Sequence, residues 1–292
     1  MNKLNYNEIK AIFNSKIFEN SKTDLLMKLA DTPNRYIGIF RPTKPKTKII
    51  QNITQSHEIK FGDAFELLIR KCFEEFGYVS LERKIKVANS TYVDLDQLFE
   101  KNGRIILIEQ KIRDDHDSTK KRGQIENFEK KINLLIENYD FDLSCYFYFI
   151  DADLQKNRNY YEEEIQKMHQ AYNLDIQVCY GKELFIKESI TEAWDDEIID
   201  FLKEWREELP DLPEINFDLN HHETFEEIKQ LQPLYFRKLF DNEEILERIF
   251  PIIFPQNETL KLLAEHFKEK SLHRNRQQQI YNYLYTKVAT LI

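Results

Sequence analysis

Glu109 and Lys111 stand two residues apart near the end of RIILIEQKI, residues 104–112. The first part of that segment, Ile105, Ile106, Leu107 and Ile108, is apolar on both faces of an extended chain. Side chains alternate along a strand, so Glu109 and Lys111 share one face. A charge at the end of a buried strand is costly unless it is paired or ligates a metal. Upstream lie Asp94 and Asp96 in YVDLDQLF, and Lys101, Asn102 and Gly103 separate the two segments with the Asn-Gly pair that tight hairpins favour. With residue 101 opposite 104, Asp96 falls opposite Glu109 and Asp94 opposite Lys111, and opposed Cβ atoms are about 5 Å apart. Two carboxylates that close repel. A divalent cation between them is the simplest remedy, and hard oxygen ligands favour Mg²⁺. Lys111 beside them can orient or help deprotonate an attacking water and offset charge on a phosphorane-like transition state. A longer turn shifts the register, so Asp94 rivals Asp96 for the ligand's place.

These residues need elements to position them. Phe61, Phe65, Leu68, Ile69, Cys72, Phe73 and Phe76 recur at helical spacing, which predicts a helix over 57–76 closed by Gly77. Extended segments follow at 78–87, 92–99 and 104–112. After the polar stretch 113–123 the pattern predicts a helix over 125–139, a buried strand over 145–152, a helix over 159–173 and a strand over 174–180. Beyond Lys182 the periodicity is helical, at 191–208, 222–231, 243–249 and from 259 onward. The stretch PDLPEI, 210–215, is a natural boundary because two prolines end helices. Residues 1–57 mix short helical patterns, 6–13 and 25–29, with RPTKPKTK, 41–48, read as an exposed extended arm. The division expected is 1–56 as a helical and arm segment, 57–185 as the core, and 186–292 as a helical region for DNA recognition, dimerisation or both.

Bulk composition narrows the function classes. With 41% apolar and 13% aromatic residues among 292, the chain is foldable despite 32% charged content. There are six Gly and no GxGxxG or P-loop, so no nucleotide cofactor is expected. Cys72, Cys145 and Cys179 are far apart in apolar surroundings, which suits buried thiols in a reducing cytosol better than disulfides or zinc ligands. The N-terminus lacks the apolar core of a signal peptide, and no run of about 18 apolar residues occurs. A soluble cytoplasmic protein with no membrane partner is the expectation. The net charge of −9 speaks against a nonspecific polyanion binder, but it leaves room for a locally basic cleft.

Asp96, the turn at 102–103, and then Ile108-Glu109-Gln110-Lys111 resemble the PD-(D/E)XK nuclease motif, with Leu95 standing where the motif's name has Pro. In FGDAFE, Glu66 is similar to the acidic residue that some members place on a first core helix to hold the metal through water. Gln124 to Phe128 is similar to the Gln-x-x-x-Tyr element of RecB-like members, with Phe in the Tyr position, so only Gln124 is carried over. The resemblance covers 57–180 in element order. It implies an α/β, restriction-endonuclease-like fold: a mixed β-sheet core flanked by helices, with a mostly helical C-terminal region. It also implies Mg²⁺-dependent hydrolysis of phosphodiester bonds in double-stranded DNA that leaves a 5′-phosphate. Asp96 and Glu109 would ligate Mg²⁺, Lys111 would assist the water, and Glu66 would support the metal. Extra segments at both ends and the lack of a helicase or ATP motif make it most like a type II restriction endonuclease, acting on double-stranded DNA as a homodimer. A structure-specific repair or recombination nuclease, or a non-catalytic DNA-binding protein on the same scaffold, shares these features.

The segment RDDHDSTKKRGQ, 113–124, carries the candidate DNA contacts. Lys120, Lys121 and Arg122 at a helix N-terminus can grip phosphates, with Arg113 and Gln124 beside them. The plainer alternative is a solvated loop in which Asp114, Asp115 and Asp117 partly neutralise the cations. His116 stands between acids, but three successive positions cannot all face one ion. Near the C-terminus, Arg274 and Arg276 among glutamines can read base edges, and the stretch with Tyr281, Tyr283 and Tyr285 suits a dimer contact. His221-His222-Glu223 lacks the spacing of a zinc-protease helix.

Overall fold

The computed structural model describes residues 5–88, 91–115, 117–139, 142–272 and 277–292. The chain groups into two compact units, residues 1–13 with 61–209 and residues 14–60 with 210–292. All the described strands belong to the first: β1 (Val79–Ser80), β2 (Lys84–Ala88), β3 (Thr91–Asp94), β4 (Gln97–Lys101), β5 (Arg104–Lys111), β6 (Asp142–Phe149) and β7 (Asp175–Tyr180). Five form one sheet in the order β1-β4-β5-β6-β7, while β2 and β3 make a separate ribbon. The β1, β4 and β5 pairings are antiparallel, and β5-β6-β7 are parallel. The fold is therefore the mixed α/β sheet with flanking helices that the motif order implies.

β5 is the central strand, buried from Ile105 to Gln110. On one face Ile105 and Leu107 join Ile125, Phe128, Ile132 and Leu135 of the helix Ser118–Asn138, and Tyr161, Ile165 and Met168 of the helix Arg158–Tyr172. On the other, Phe73 of the helix Pro45–Glu75 stacks on Phe99 of β4, with ring centroids 4.9 Å apart, and meets Phe185 edge-on. The β4–β5 hairpin closes with Lys101 opposite Arg104. Asn102 and Gly103 take φ of 55° and 80°, the double positive φ that Asn-Gly tolerates in a tight primed turn.

Several expectations change. The predicted strand 92–99 breaks in two: Leu95 N–H donates to Arg83 O at 2.9 Å, and the chain bends at Asp96. β3 therefore pairs with β2, and Asp94 lies opposite Lys84 rather than opposite Lys111. The segment 78–87 likewise divides into β1 and the start of β2. The helix predicted from 57 begins at Pro45, so the second half of the basic stretch 41–48 is helical. Proline suits a first helical position, and the buried Ile49 and Ile53 carry the helical spacing upstream. The helix predicted from 125 starts at Ser118, because the Asp117 carboxylate caps it, accepting from Thr119 N–H (3.0 Å) and Lys120 N–H (2.9 Å). Over 191–208 a π-helical turn, Ala193–Ile198, precedes the helix Ile199–Glu207.

The described secondary structure of the second unit is all helical. Leu25, Leu29, Phe236, Leu239, Phe240, Ile253, Leu263, Phe267, Leu284 and Val288 are among its core residues. The helix Pro233–Phe240 had no sequence-level expectation, and the region after 259 contains two helices, Glu258–Leu272 and Gln278–Ala289. Tyr281, Tyr283 and Tyr285, at the end that suited a dimer contact, are partly buried against this core. The three cysteines are free and buried, as their spacing suggests. No helix among the described residues is long and apolar enough to cross a membrane.

A buried carboxylate ties the first unit's elements together. Glu188, whose side chain is fully buried, accepts from Tyr78 Oη at 2.8 Å, Tyr146 Oη at 2.6 Å and Arg104 Nη2 at 2.5 Å. Those donors come from the residue before β1, from β6 and from β5. Glu188→Ala removes the shared acceptor and leaves a guanidinium and two phenols to resolve. The expected loss is about 3 kcal/mol in urea unfolding; a loss below about 1 kcal/mol would show the clasp to be dispensable.

Candidate active site

The site is built at the C-terminal end of β5, where Glu109, Gln110 and Lys111 end the central strand. Glu109 is almost wholly buried and Lys111 half-buried, with side-chain exposures of 2% and 23%. Asp96 reaches them from the bend before β4. Its Oδ2 accepts from Gln110 N–H at 2.9 Å and from Lys111 Nζ at 3.1 Å. Lys111 Nζ also donates to Glu109 Oε1 at 2.7 Å and to the Gln110 carbonyl at 2.8 Å. Asp96, Glu109 and Lys111 therefore meet as one cluster.

A fourth member has no counterpart in the sequence reading. Lys131, on the helix Ser118–Asn138, donates to Asp96 Oδ1 at 3.1 Å and to Glu109 Oε2. Its side chain is only 5% exposed. All four carboxylate oxygens are thus met by an ammonium group, and each ammonium bridges both acids. Two negative and two positive charges balance in a nearly dry place. Sequence did contain a signal for it. Ile125, Phe128, Ile132 and Leu135 mark the buried face of that helix, and Lys131 sits on that face, three residues after Phe128 and four before Leu135. A lysine on an apolar stripe is the helical equivalent of a glutamate in an apolar strand.

The cluster shifts the titration of Asp96 and Lys111. Burial alone would raise the Asp96 pKa, but Lys111, Lys131 and the hydrogen bonds outweigh it and hold the carboxyl below its ordinary value. Burial alone would lower that of Lys111, but Glu109 and Asp96 outweigh it, so Lys111 stays protonated at neutral pH.

Glu66 stands one residue away. Its carboxylate pairs with Arg83 Nη1 at 3.1 Å, and the same nitrogen donates to the Asp96 backbone carbonyl at 2.8 Å. Gln97 Nε2 donates to the Glu66 carbonyl at 2.5 Å. Burial, then repulsion from Asp96, with a further push from Asp63, outweighs Arg83 and raises the Glu66 pKa to about 7. Asp94 is exposed on the β2–β3 ribbon, and among the described residues no ion pair joins it to the cluster.

The donor set fits Mg²⁺. Two carboxylates and the Gln110 carbonyl offer hard oxygens, and a single ammonium touching both acids shows that they converge on one space. Among the described residues no group of three or more His, Cys, Asp or Glu is placed to hold a metal. Two protein carboxylates with the rest of the shell from water and substrate is a usual arrangement for Mg²⁺.

The candidate DNA contacts are partly committed elsewhere. Lys120 and Arg122 are exposed in the first turns of the helix Ser118–Asn138, with Arg122 Nε donating to Ser118 O at 3.2 Å. Lys121 Nζ lies 4.2 Å from the Tyr160 ring centroid and donates to Asn157 Oδ1 at 3.2 Å. Gln124 Oε1 accepts from Tyr161 Oη at 2.7 Å, so a tyrosyl hydroxyl reaches this glutamine from another helix although Phe occupies position 128. Arg113 is half-buried in the loop after β5. Asp115 and Asp117 of that loop are exposed, as the plainer alternative has it, but Asp114 is an exception. Asp114 is fully buried and accepts from Asn157 N–H and Nδ2, both at 2.8 Å, and from Tyr180 Oη at 3.0 Å. His116, Arg274 and Arg276 lie outside the described residues.

Comparison with known proteins gives one family. The model of the family described as type II restriction endonuclease, HinfI, matches residues 5–88 and 78–206, more than half of the chain. No curated protein matches the chain.

The raised Glu66 pKa has a signed consequence. Between its ordinary value of 4.5 and about 7 the folded protein binds a proton that the unfolded chain releases, so this residue's contribution to stability falls as pH rises through that window. Glu66→Gln has no such proton. Chemical denaturation of the two proteins from pH 4.5 to 8 should show the variant gaining on the wild type up to about pH 7 and the gap then flattening. A pH-independent gap refutes the assignment.

Proposed function

The chain belongs to the HinfI family of type II restriction endonucleases, and from that premise we propose that it is a Mg²⁺-dependent endonuclease hydrolysing phosphodiester bonds of double-stranded DNA at a specific sequence. What carries the reading is the convergence of Asp96 and Glu109 on one space at the end of β5, with Lys111 touching both. Asp96 and Glu109 would hold the Mg²⁺, and Glu66, behind Arg83, would support them. The ion, when bound, would supply Lewis-acid polarisation of a phosphoryl oxygen and a more acidic water.

The protein's own groups do the rest. Lys111 uses its protons on Asp96 Oδ2, Glu109 Oε1 and the Gln110 carbonyl. It is the more exposed of the two lysines, so an incoming phosphate can draw one N–H away to an oxygen on which charge builds in the transition state. Paired with both acids, Lys111 is held in its protonated form, which suits it to donate to that oxygen and offset its charge. The Gln110 N–H holds Asp96 in the aim it needs. Lys120, Lys121, Arg122 and Arg113 would contact DNA phosphates beside the site. Tyr161 fixes the Gln124 carbonyl oxygen, which leaves the Gln124 amide N–H₂ to donate to DNA. Arg274 and Arg276 are proposed for base contacts. A homodimer would place one copy of the site at each strand.

Incubation of phage DNA with the protein and Mg²⁺ should give discrete fragments with 5′-phosphate ends, and omission of Mg²⁺ should give none. Asp96→Asn, Glu109→Gln and Lys111→Ala should each reduce cleavage by at least about 100-fold while a labelled fragment is still bound. Binding without any Mg²⁺-dependent cleavage would mark a non-catalytic DNA-binding protein, and cleavage confined to branched substrates a structure-specific nuclease.

A further inference from the structure

Lys131 raises a question that the proposed nuclease chemistry does not answer. A lysine that donated to the scissile phosphate would need a path to it, and Lys111 has one, with 23% of its side chain exposed. Lys131 has 5%, and its backbone is fixed in the middle of a helix whose Ile125, Phe128, Ile132 and Leu135 are packed in the core. It touches Asp96 Oδ1 and Glu109 Oε2, the oxygens left over by Lys111. A cation that takes these carboxylates must therefore displace an ammonium or add its charge beside one in a poorly solvated place. Lys111 can leave toward water or DNA. Lys131 cannot.

We infer that Lys131 is a built-in counter-cation, a positioning residue that holds Asp96 and Glu109 together before any metal arrives and competes with the divalent cation for their oxygens. The inference rests on the reading of those two acids as the metal's ligands. Its consequence is that the protein alone binds a divalent cation weakly. Tight loading needs the negative charge of a DNA phosphate, which attracts Lys111 outward and offsets the charge of Lys131. The lysine thereby makes metal occupancy depend on DNA.

The test uses the full chain without DNA, titrated calorimetrically with Ca²⁺ and with Mn²⁺ at constant pH and ionic strength. Thermal unfolding is followed with and without the same ions. Lys131→Met is expected to bind the cation about tenfold or more tightly than the wild type, because one like charge at contact distance is gone. It should unfold at lower temperature than the wild type in chelator and recover more on cation addition. Lys131→Arg, which keeps the charge, should stay close to the wild type. Adding Glu109→Gln to Lys131→Met should abolish the gain.

Cation affinity in Lys131→Met equal to or below that of a wild type that does bind, or a loss of stability that cations do not restore, overturns the role given to Lys131 and leaves the metal site standing. Absence of saturable binding in both proteins, with DNA present as well as absent, removes the metal site and this inference with it. Should Lys131→Met lack the wild-type far-ultraviolet circular dichroism, Lys131→Gln takes its place under the same criteria.

Discussion

Two carboxylates and two ammonium groups, two of them almost wholly buried and two partly so at one end of a buried strand, are the constraint on which the first unit turns. Any one of these charges alone in that place would be several kcal/mol unfavourable. Together they satisfy one another, with each Asp96 and Glu109 oxygen meeting a lysine and the Gln110 amide adding a further hydrogen bond. The arrangement tolerates little displacement, since moving one member leaves another charge uncompensated. That demand reaches outward to the bend at Asp96, the end of β5 and the helix that carries Lys131.

The mixed sheet is what lets these parts meet. An antiparallel hairpin brings the residue before β4 beside the end of β5, and the tight Asn102-Gly103 turn sets which residue that is. A parallel pairing has the opposite requirement. β6 runs parallel to β5, so the chain must cross over, and it does so through the helix Ser118–Asn138, whose buried face covers the side of β5 that bears Glu109. The crossover thus delivers Lys131 to the acids. It also places the Asp117-capped helix start, with Lys120, Lys121 and Arg122, shortly after the strand end in the chain.

Around this cluster the polar residues are arranged in successive layers. Arg83 links Glu66 to the backbone at Asp96, Gln97 links Glu66 to β4, and Arg70 Nε donates to Gln97 Oε1 at 3.3 Å. Separately, buried Asp114 ties the segment after β5 to Asn157 and to Tyr180 of β7. Such fixed surroundings orient the carboxylates, and Lys111 is the most exposed of the four charged groups.

The sequence by itself determined the parts of this protein that depend on near neighbours. Alternation put Glu109 and Lys111 on one face, Asn-Gly set the hairpin, and the apolar run from Ile105 to Ile108 marked a strand covered on both sides. From these, Asp96 rather than Asp94 is the acid beside Glu109, although the reason Asp94 drops out, the bend that sends β3 into a separate ribbon, was not legible. Helix starts at Pro45 and Ser118 were missed because their first turns are exposed and carry no apolar period. Only the tertiary structure decided what neutralises the paired acids. Lys131 lies 22 residues beyond Glu109 in the chain. Its nearness depends on how a crossover helix packs on a sheet, which is a long-range contact that local periodicity does not encode.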